Sequence, residues 1–289
     1  MSEQRLAVRK TYKLYIGGAF PRSESGRSYV VVSSDGSFLA NAAQGSRKDV
    51  RDAVVAARKA QLGWAGATAY NRGQVLYRVA EMLDGRRAQF VEEVAASEGV
   101  AHKQAMAIVD AAVDRWVWYA GWSDKVAQVV GSSNSVAGPF FNFSVPEPTG
   151  VVGILAPQAS SLLGLVSVLA PVLVTGNAVV LLASEKRPLP AITLAEVLAT
   201  SDVPGGAVNL LTGRVAELAP VLAAHRDVDA LDLAGAPASM LVELEQAAVT
   251  NVKRVLRPDS VEPDWSAPPT PRRMLAFLET KTVWHPVGV

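Results

Sequence analysis

The chain has 289 residues and no cysteine. That absence excludes disulfides, Cys-ligated zinc, iron–sulfur clusters and thiol-nucleophile mechanisms from these residues. It leaves the compartment open, because a missing disulfide is compatible with any compartment. Histidine is scarce. His102, His225 and His285 are far apart in sequence, and none has a partner at metal-ligand spacing. Packing or surface roles are read for each, and no metal is expected. An excess of charge of one sign is also lacking: 28 Lys and Arg face 27 Asp and Glu, a net charge of +1. A nucleic-acid-binding domain would show a basic excess, so no nucleic-acid partner is expected. No Gly-x-Ser-x-Gly elbow supports a hydrolase. The opening MSEQRLAVRKTYK has no apolar core behind its charges and is not read as a secretory signal. Cytoplasm is the expected compartment.

A long apolar run is present, but it is interrupted. Ser161–Ala183 carries no charge. A membrane span needs about 20 apolar residues in one continuous helix. Pro171 and the Thr175-Gly176-Asn177 turn are read as cutting this run in two. The expectation is a buried helix at about Ser160–Val174 and a buried strand at Ala178–Ala183, with no membrane contact.

The length suggests roughly two domains and a substantial core. With 49% apolar and 19% charged residues, the composition is that of an ordinary globular protein. The first dozen residues are polar and read as loose. Tyr12–Ile16 alternates, Gly17-Gly18 turns, and a strand at about Ser28–Val32 completes a hairpin-like opening. Ser46 with Asp49 resembles a capping box, and the helix behind it places Val50, Ala53, Val54 and Ala57 on one face. Further helices are read at about Asn71–Leu83, Ala88–Ala96 and Val113–Val129. Trp116, Trp118, Tyr119 and Trp122 at helical spacing read as core or interface rather than a ligand site. Ser160 and Ser161 read as helix caps.

From Gly150 the texture changes. Short apolar strands are read at Val151–Ala156, Ala178–Ala183, Ala207–Leu211, Ala230–Ala234 and Val252–Leu256. Helices are read at Ser160–Val174, Pro188–Ala199 and Ala238–Ala248. Alternating strands and helices imply an α/β fold, a Rossmann-like doubly wound parallel sheet. Such sheets bind ligands at the carboxyl ends of their strands. Arg257–Arg273 then holds five of the seventeen prolines, too many for a helix or a central strand, and reads as an extended linker. Met274–Val289 is too short to fold alone and is expected to dock, as one helical turn and one strand.

The order of these segments resembles the aldehyde dehydrogenase superfamily. The stretches that carry the resemblance are KLYIGGAFPRSESGR, DVRDAVVAARKAQLGW, PEPTGVVGILAP, LAPVLVTGNAVVLLASEKRPL, VPGGAVNLLTG and ETKTVWHPVG. They are similar to that family's cofactor-binding domain and oligomerisation strands. The resemblance implies an N-terminal hairpin and helices over 1–139, a protruding oligomerisation β-arm over 140–150, a Rossmann-like domain over 151–256, the proline-rich linker 257–273 standing where the family has its catalytic domain, and a C-terminal oligomerisation strand over 274–289. The family's nucleophilic cysteine belongs to the domain not found here, so no catalytic residue is assigned.

Motif by motif, the resemblance is incomplete. The family's Pro-Trp-Asn reads Pro157-Gln158-Ala159 here, and Ala159 has no donor for an oxyanion. Its ribose-contacting Lys-Pro-Ser/Ala-Glu reads Leu182-Ala183-Ser184-Glu185. The first of two glycines after the next strand is kept as Gly213, and Val215 replaces the second. Thr-Gly-Ser reads Ala234-Gly235-Ala236, and Met240 takes a later glycine position. The general-base Glu-Leu-Gly-Gly stretch falls at Arg257-Pro258-Asp259. Candidate cofactor contacts are therefore Pro157, Ser184, Glu185, Gly213 and Gly235, for a degraded NAD or NADP site. Set against that, Glu185 also reads as a solvated acid paired with Lys186 or Arg187, and both glycines as ordinary turn residues.

The expected function is that of a non-catalytic, aldehyde-dehydrogenase-like subunit. It would assemble with a complete aldehyde dehydrogenase through strands 140–148 and 281–287, or with its own copies, by strand addition. The alternative for the tail is a local ribbon with its own arm. The alternatives for the chain are an NAD(P)-binding or sensing module and an oxidoreductase with an unrelated mechanism.

Overall fold

The computed structural model describes residues 10–258 and 263–288. The opening residues read as loose, through residue 9, and Asp259 lie outside the described residues.

Strands β1 (Ser28–Val32) and β2 (Phe38–Ala43) form an antiparallel hairpin. This corrects the partner expected for β1. The Tyr12–Ile16 segment runs elsewhere: Tyr15 and Leu210 exchange backbone hydrogen bonds of 2.9 and 2.8 Å. The alanine-rich sequence of β2, FLANAA, has weak strand propensity, so its strand character comes from pairing. The Gly17-Gly18 turn is as expected, with φ of +62° and +85° and Ile16 and Ala19 bonded across it.

Helix α1 (Arg47–Gly66) opens with the expected capping box, Ser46 and Asp49 each receiving the other's backbone N–H. Val50, Ala53, Val54 and Ala57 are buried as read. Helices α2 (Ala69–Asp84) and α3 (Arg87–Glu98) follow. The helix read at Val113–Val129 is two: α4 (His102–Ala120) and a short α5 (Val126–Val130), parted by turns from Gly121 to Lys125. Ala105, Val109 and Ala112 extend the buried face of α4 upstream, and a glycine follows its last residue.

Strands β3 (Ser132–Asn134) and β4 (Phe140–Pro148) lead into the parallel sheet. Its elements are β5 (Val151–Leu155), α6 (Leu163–Val174), β6 (Ala178–Leu182), α7 (Leu189–Ala199), β7 (Val208–Leu211), α8 (Val215–Ala224), β8 (Ala230–Asp232), α9 (Leu241–Val249) and β9 (Arg254–Leu256). The strand order is β7-β6-β5-β8-β9, all parallel, with β5 central. Every residue of β5, β6 and α6 is buried. Pro171 lies inside α6 instead of ending it. The helix forgoes the one bond proline cannot donate, and burial on all sides outweighs that loss. The cut falls at Thr175-Gly176-Asn177 alone. Helix α8 is absent from the sequence reading; Pro220 sits within its ten residues. Among the described residues, no helix is long and apolar enough to cross a membrane.

After β9 the described part of the proline-rich segment turns back at 264–267, where Ala267 N–H donates to the Asp264 carbonyl at 3.1 Å, and it is fastened down. Arg115 donates to the Ala267 carbonyl at 2.7 Å and Tyr119 to the Thr270 carbonyl at 3.3 Å. Helix α10 (Arg272–Ala276) begins within the stretch read as linker, and β10 (Leu278–Pro286) completes the chain's strands. Strand β10 pairs antiparallel with β4 from Leu278 against Pro148 to Pro286 against Phe140. The tail thus lies on its own arm. A two-stranded ribbon is marginal in water. Here β3 on the far side of β4 makes a third strand. Among the described residues, the other edge of β10 carries no strand.

Arm, tail and sheet meet at Asn177, which is fully buried. Its Oδ1 accepts from Gly150 N–H at 2.7 Å, and its Nδ2 donates to Thr175 Oγ1 and the Phe277 carbonyl at 2.8 and 2.9 Å. Asn177→Ala strips Gly150 of its acceptor in a dry site. It should destabilise the fold by about 3 kcal/mol in urea unfolding. Limited proteolysis should find the β10 segment cut sooner than in wild type.

Candidate functional site

In an open parallel sheet, the strand order reverses at one point, and a crevice opens there beyond the carboxyl ends. Here that point lies between β5 and β8. The loops after them line a cavity of about 420 Å³. Pro157, Gln158 and Ala159 come from one side and Ala234, Gly235, Ala236 and Pro237 from the other. Pro258, Pro263 and Arg273 close it from the proline-rich segment.

Two of the predicted contacts, Pro157 and Gly235, meet at this cavity. Gly235 donates its N–H to the Leu155 carbonyl at 2.8 Å. A Cβ on it would stand 1.8 Å from the Ala156 carbonyl oxygen. Its glycine character is therefore explained by the β8 loop pressing on the end of β5. Gly213 does not line the cavity. It sits after β7 at φ +146°, where a Cβ would lie 3.0 Å from Gly45 N. For both glycines, backbone packing is a sufficient reason.

Ser184 and Glu185, at the end of β6, lie off the cavity wall and are tied to the neighbouring loop. Ser184 Oγ donates to the Gln158 carbonyl at 2.9 Å, and Gln158 Oε1 accepts from Glu185 N–H at 2.9 Å. Gln158 Nε2 donates back to the Ala156 carbonyl at 2.8 Å. Arg187 donates to the Ala159 carbonyl. The loops after β5 and β6 are thus laced to each other. Glu185 is paired, but its partner is Arg214 at 2.7 Å rather than Lys186 or Arg187. Its second oxygen accepts from Val215 N–H at 2.9 Å. A carboxylate there satisfies a free amide at the start of α8 and complements the helix dipole. Burial, with the Glu185 charge second, pushes the nearby Tyr29 phenol well above its ordinary range.

Sequence reasoning missed Arg273. Its guanidinium pairs with Asp232, whose side chain is 1% exposed, and lies over the Trp265 ring at 5.6 Å. The signal was available: an acid at the end of an apolar strand needs a partner. The serines divide. Ser160 accepts from Gly164 N–H at 2.9 Å, but it stands two residues before Leu162, the residue at the N-cap of α6, which makes no side-chain cap bond. Ser161 instead donates to Glu98 at 2.7 Å. Among the described residues, no group of three or more His, Asp or Glu gathers to hold a metal.

A dinucleotide is the group that such a crevice holds in Rossmann-like sheets. The residues present do not fit it. The acid predicted for the ribose is committed to Arg214 and to α8. Pro157, Ala159, Ala234, Ala236 and Pro237 bring no side-chain donor to the wall. Its polar side chains, Gln158 and Arg273, are both engaged within the protein. Met240 packs against the apolar core.

Gly235→Ala drives a methyl group into backbone. It should cost about 3 kcal/mol in denaturant unfolding, whether or not nucleotide is added. Glu185→Ala should cost about 1 kcal/mol through the lost bond to α8. Arg214→Ala, which removes a half-exposed ion pair and a guanidinium 5.4 Å from the Tyr29 ring centre, should cost no more than about 1 kcal/mol.

The family model described as Aldehyde dehydrogenase family matches residues 20–257. The chain is 30% identical over 249 residues to aldehyde dehydrogenase, cytosolic 1, of Elephantulus edwardii, covering 84% of this chain and 49% of that protein. It is 30% identical over 258 residues to cytosolic 10-formyltetrahydrofolate dehydrogenase of Mus musculus, covering 87% of this chain and 28% of that protein. Among solved structures, it is similar to a betaine aldehyde dehydrogenase mutant from Staphylococcus aureus in complex with NAD+. That match has a TM-score of 0.80 and 25% identity, over 84% of this chain and 49% of the other. It is also similar to HpcC from Thermus thermophilus, with a TM-score of 0.79 and 28% identity, over 85% of this chain and 47% of the other. The chain spans at most about half the length of these relatives.

Proposed function

This chain belongs to the aldehyde dehydrogenase family, and we propose that within it the chain is a non-catalytic subunit that assembles with a complete aldehyde dehydrogenase. The observation that carries this reading is the edge of β10. Nine residues, Leu278–Pro286, pair with β4 on one side only. An open strand edge offers unpaired backbone donors and acceptors to another chain. Aromatic surface accompanies it: Trp284 is 58% exposed and Phe141 51%. A strand of a partner's domain laid along β10 would extend the three-stranded arm into a larger sheet.

The crevice supports the non-catalytic half of the reading. Ala159 offers no donor to a developing oxyanion, and the polar groups around the crevice bind one another. A cytoplasmic setting goes with this reading, by analogy with the cytosolic relatives. Binding or sensing of NAD(P) is the second reading, favoured by the 420 Å³ cavity at the switch point.

Affinity-tagged full chain recovered from native extract should bring down a complete aldehyde dehydrogenase. Trp284→Lys should abolish that recovery without lowering thermal stability. Recovery of this chain alone, self-assembled, would sink the proposal. Titration calorimetry with NAD and with NADP should give no heat at millimolar ligand; saturable heat would put the sensing reading in its place.

A further inference from the structure

Where the segment from Lys10 to Tyr12 meets α3 and α7, a carboxyl group is bonded on one side only. Glu93 Oε1 is hydrogen-bonded to three groups: the Tyr12 hydroxyl at 3.0 Å, Gln89 Nε2 at 3.2 Å and the Thr193 hydroxyl at 2.8 Å. Its Oε2 is buried and has no donor among the described residues. Two cations stand close, and both are taken up by another acid. Lys10 Nζ pairs with one oxygen of Glu196 at 2.9 Å, and Arg86 pairs with the other at 2.8 Å. Lys10 also donates to Thr193 Oγ1 at 3.0 Å and lies over the Tyr12 ring at 4.7 Å. Glu93 is thus left with uncharged partners, and Lys10 acts on it only from a distance.

The two protonation states fare differently there. A neutral carboxyl can carry its proton on Oε1, shared with the Tyr12 or Thr193 oxygen, and leave Oε2 as a bare carbonyl. An ionised one leaves part of its charge on a buried oxygen with no donor, which is the costlier state. Burial accordingly holds the Glu93 carboxyl above the ordinary glutamate range, against the hydrogen bonds and the Lys10 charge that act the other way. Burial first, then the Glu93 charge, also raises the Tyr12 phenol, so Tyr12 keeps its proton in either state. The titratable and charged groups facing Glu93 are Lys10 and Tyr12 from the opening segment and Glu196 from α7, with Arg86 from the start of α3 behind Glu196. Of its covers, α7 is packed into the core through Leu194, Ala195 and Leu198. The opening segment has no regular strand or helix over Lys10–Tyr12 beyond one bridge to Ala42, and is the easier cover to lift.

We propose that the contacts of Lys10 and Tyr12 with α3 and α7 form a pH-sensitive clasp, closed while Glu93 is protonated and released when it ionises. Release lets water reach Oε2 and frees the segment from Lys10 to Tyr12. The sign follows from linkage. The folded chain holds the Glu93 proton more tightly than the unfolded chain does. The clasp therefore contributes most at the acid end, weakens as pH rises from the ordinary glutamate range through the raised value, and changes no further above it. It lies apart from the switch-point crevice and from β10, and does not depend on a partner subunit.

The test is backbone amide hydrogen exchange of the full chain between about pH 5 and pH 8, a range above the ordinary glutamate value. The Ala43 N–H, which donates to the Tyr12 carbonyl at 2.9 Å, reports on the clasp. The Val179 N–H, which donates to the Ala207 carbonyl at 2.8 Å in the central sheet, reports on the whole fold. Their ratio removes the pH dependence of the exchange chemistry itself. In wild type it should climb about fivefold or more with rising pH and then level off. In Glu93→Gln, which cannot ionise, it should stay flat. Glu92→Gln, which removes an exposed acid on the same helix, should keep the climb. The climb should also share its midpoint with the Glu93 carboxyl carbon followed by 13C NMR, a reading that decides the matter if Glu93→Gln fails to fold. A flat ratio in wild type, a climb that survives in Glu93→Gln, or a carboxyl that titrates within or below the ordinary range would each overturn the proposal.

Discussion

The side chain of Asn177 holds together parts of the chain that no local force would join. It sits in the turn between the most apolar helix and the most apolar strand of the molecule. It binds backbone at the entrance to β5 and at the entrance to β10, a hundred residues away in sequence. An amide is suited to this because it donates and accepts at once and carries no charge to desolvate. Around it, α6, β5 and β6 supply apolar burial that has no direction of its own. The amide gives that burial a register: where the sheet starts, where the arm leaves and where the tail returns. The three-stranded arm is positioned through this one dry junction, supported by the pairing of β10 with β4.

The same substitution of self-recognition for ligand recognition runs through the crevice. Gln158 joins two loops that would otherwise be free to flank a ligand. Glu185 completes a helix and an ion pair. Arg273, delivered by the chain's last segment, neutralises the acid at the end of β8. Each is a polar group at the carboxyl edge of the sheet, where the fold concentrates binding potential. Each is engaged by another part of the same chain.

Much of the fold was legible because its signals are local. The capping box of Ser46 and Asp49 and the buried faces of α1 and α2 follow from spacing within a few residues. So do the apolar runs of β5 and β6. The errors have one cause, a local signal overridden by tertiary context. Pro171 reads as part of a break, yet it sits inside a helix held by packing, and Pro220 likewise lies within α8. Ser28–Val32 reads as the partner of Tyr12–Ile16, yet it pairs with FLANAA. The site was legible in part. Pro157 and Gly235 could be placed at one crevice from strand order, but the partners of Glu185 and Asp232 lie about 30 and 40 residues away along the chain.

The sequence by itself determined most element types, the parallel α/β class and the family, because periodicity, turn residues and motif order are properties of neighbouring positions. It also determined which chemistries are absent, since a residue type that is not present cannot act. The tertiary structure decided what the remaining polar groups do. A carboxylate or guanidinium has the same sequence whether it faces a ligand, a helix end or another side chain. Only the distances of about 2.7 to 2.9 Å that Glu185 and Asn177 make separate those roles.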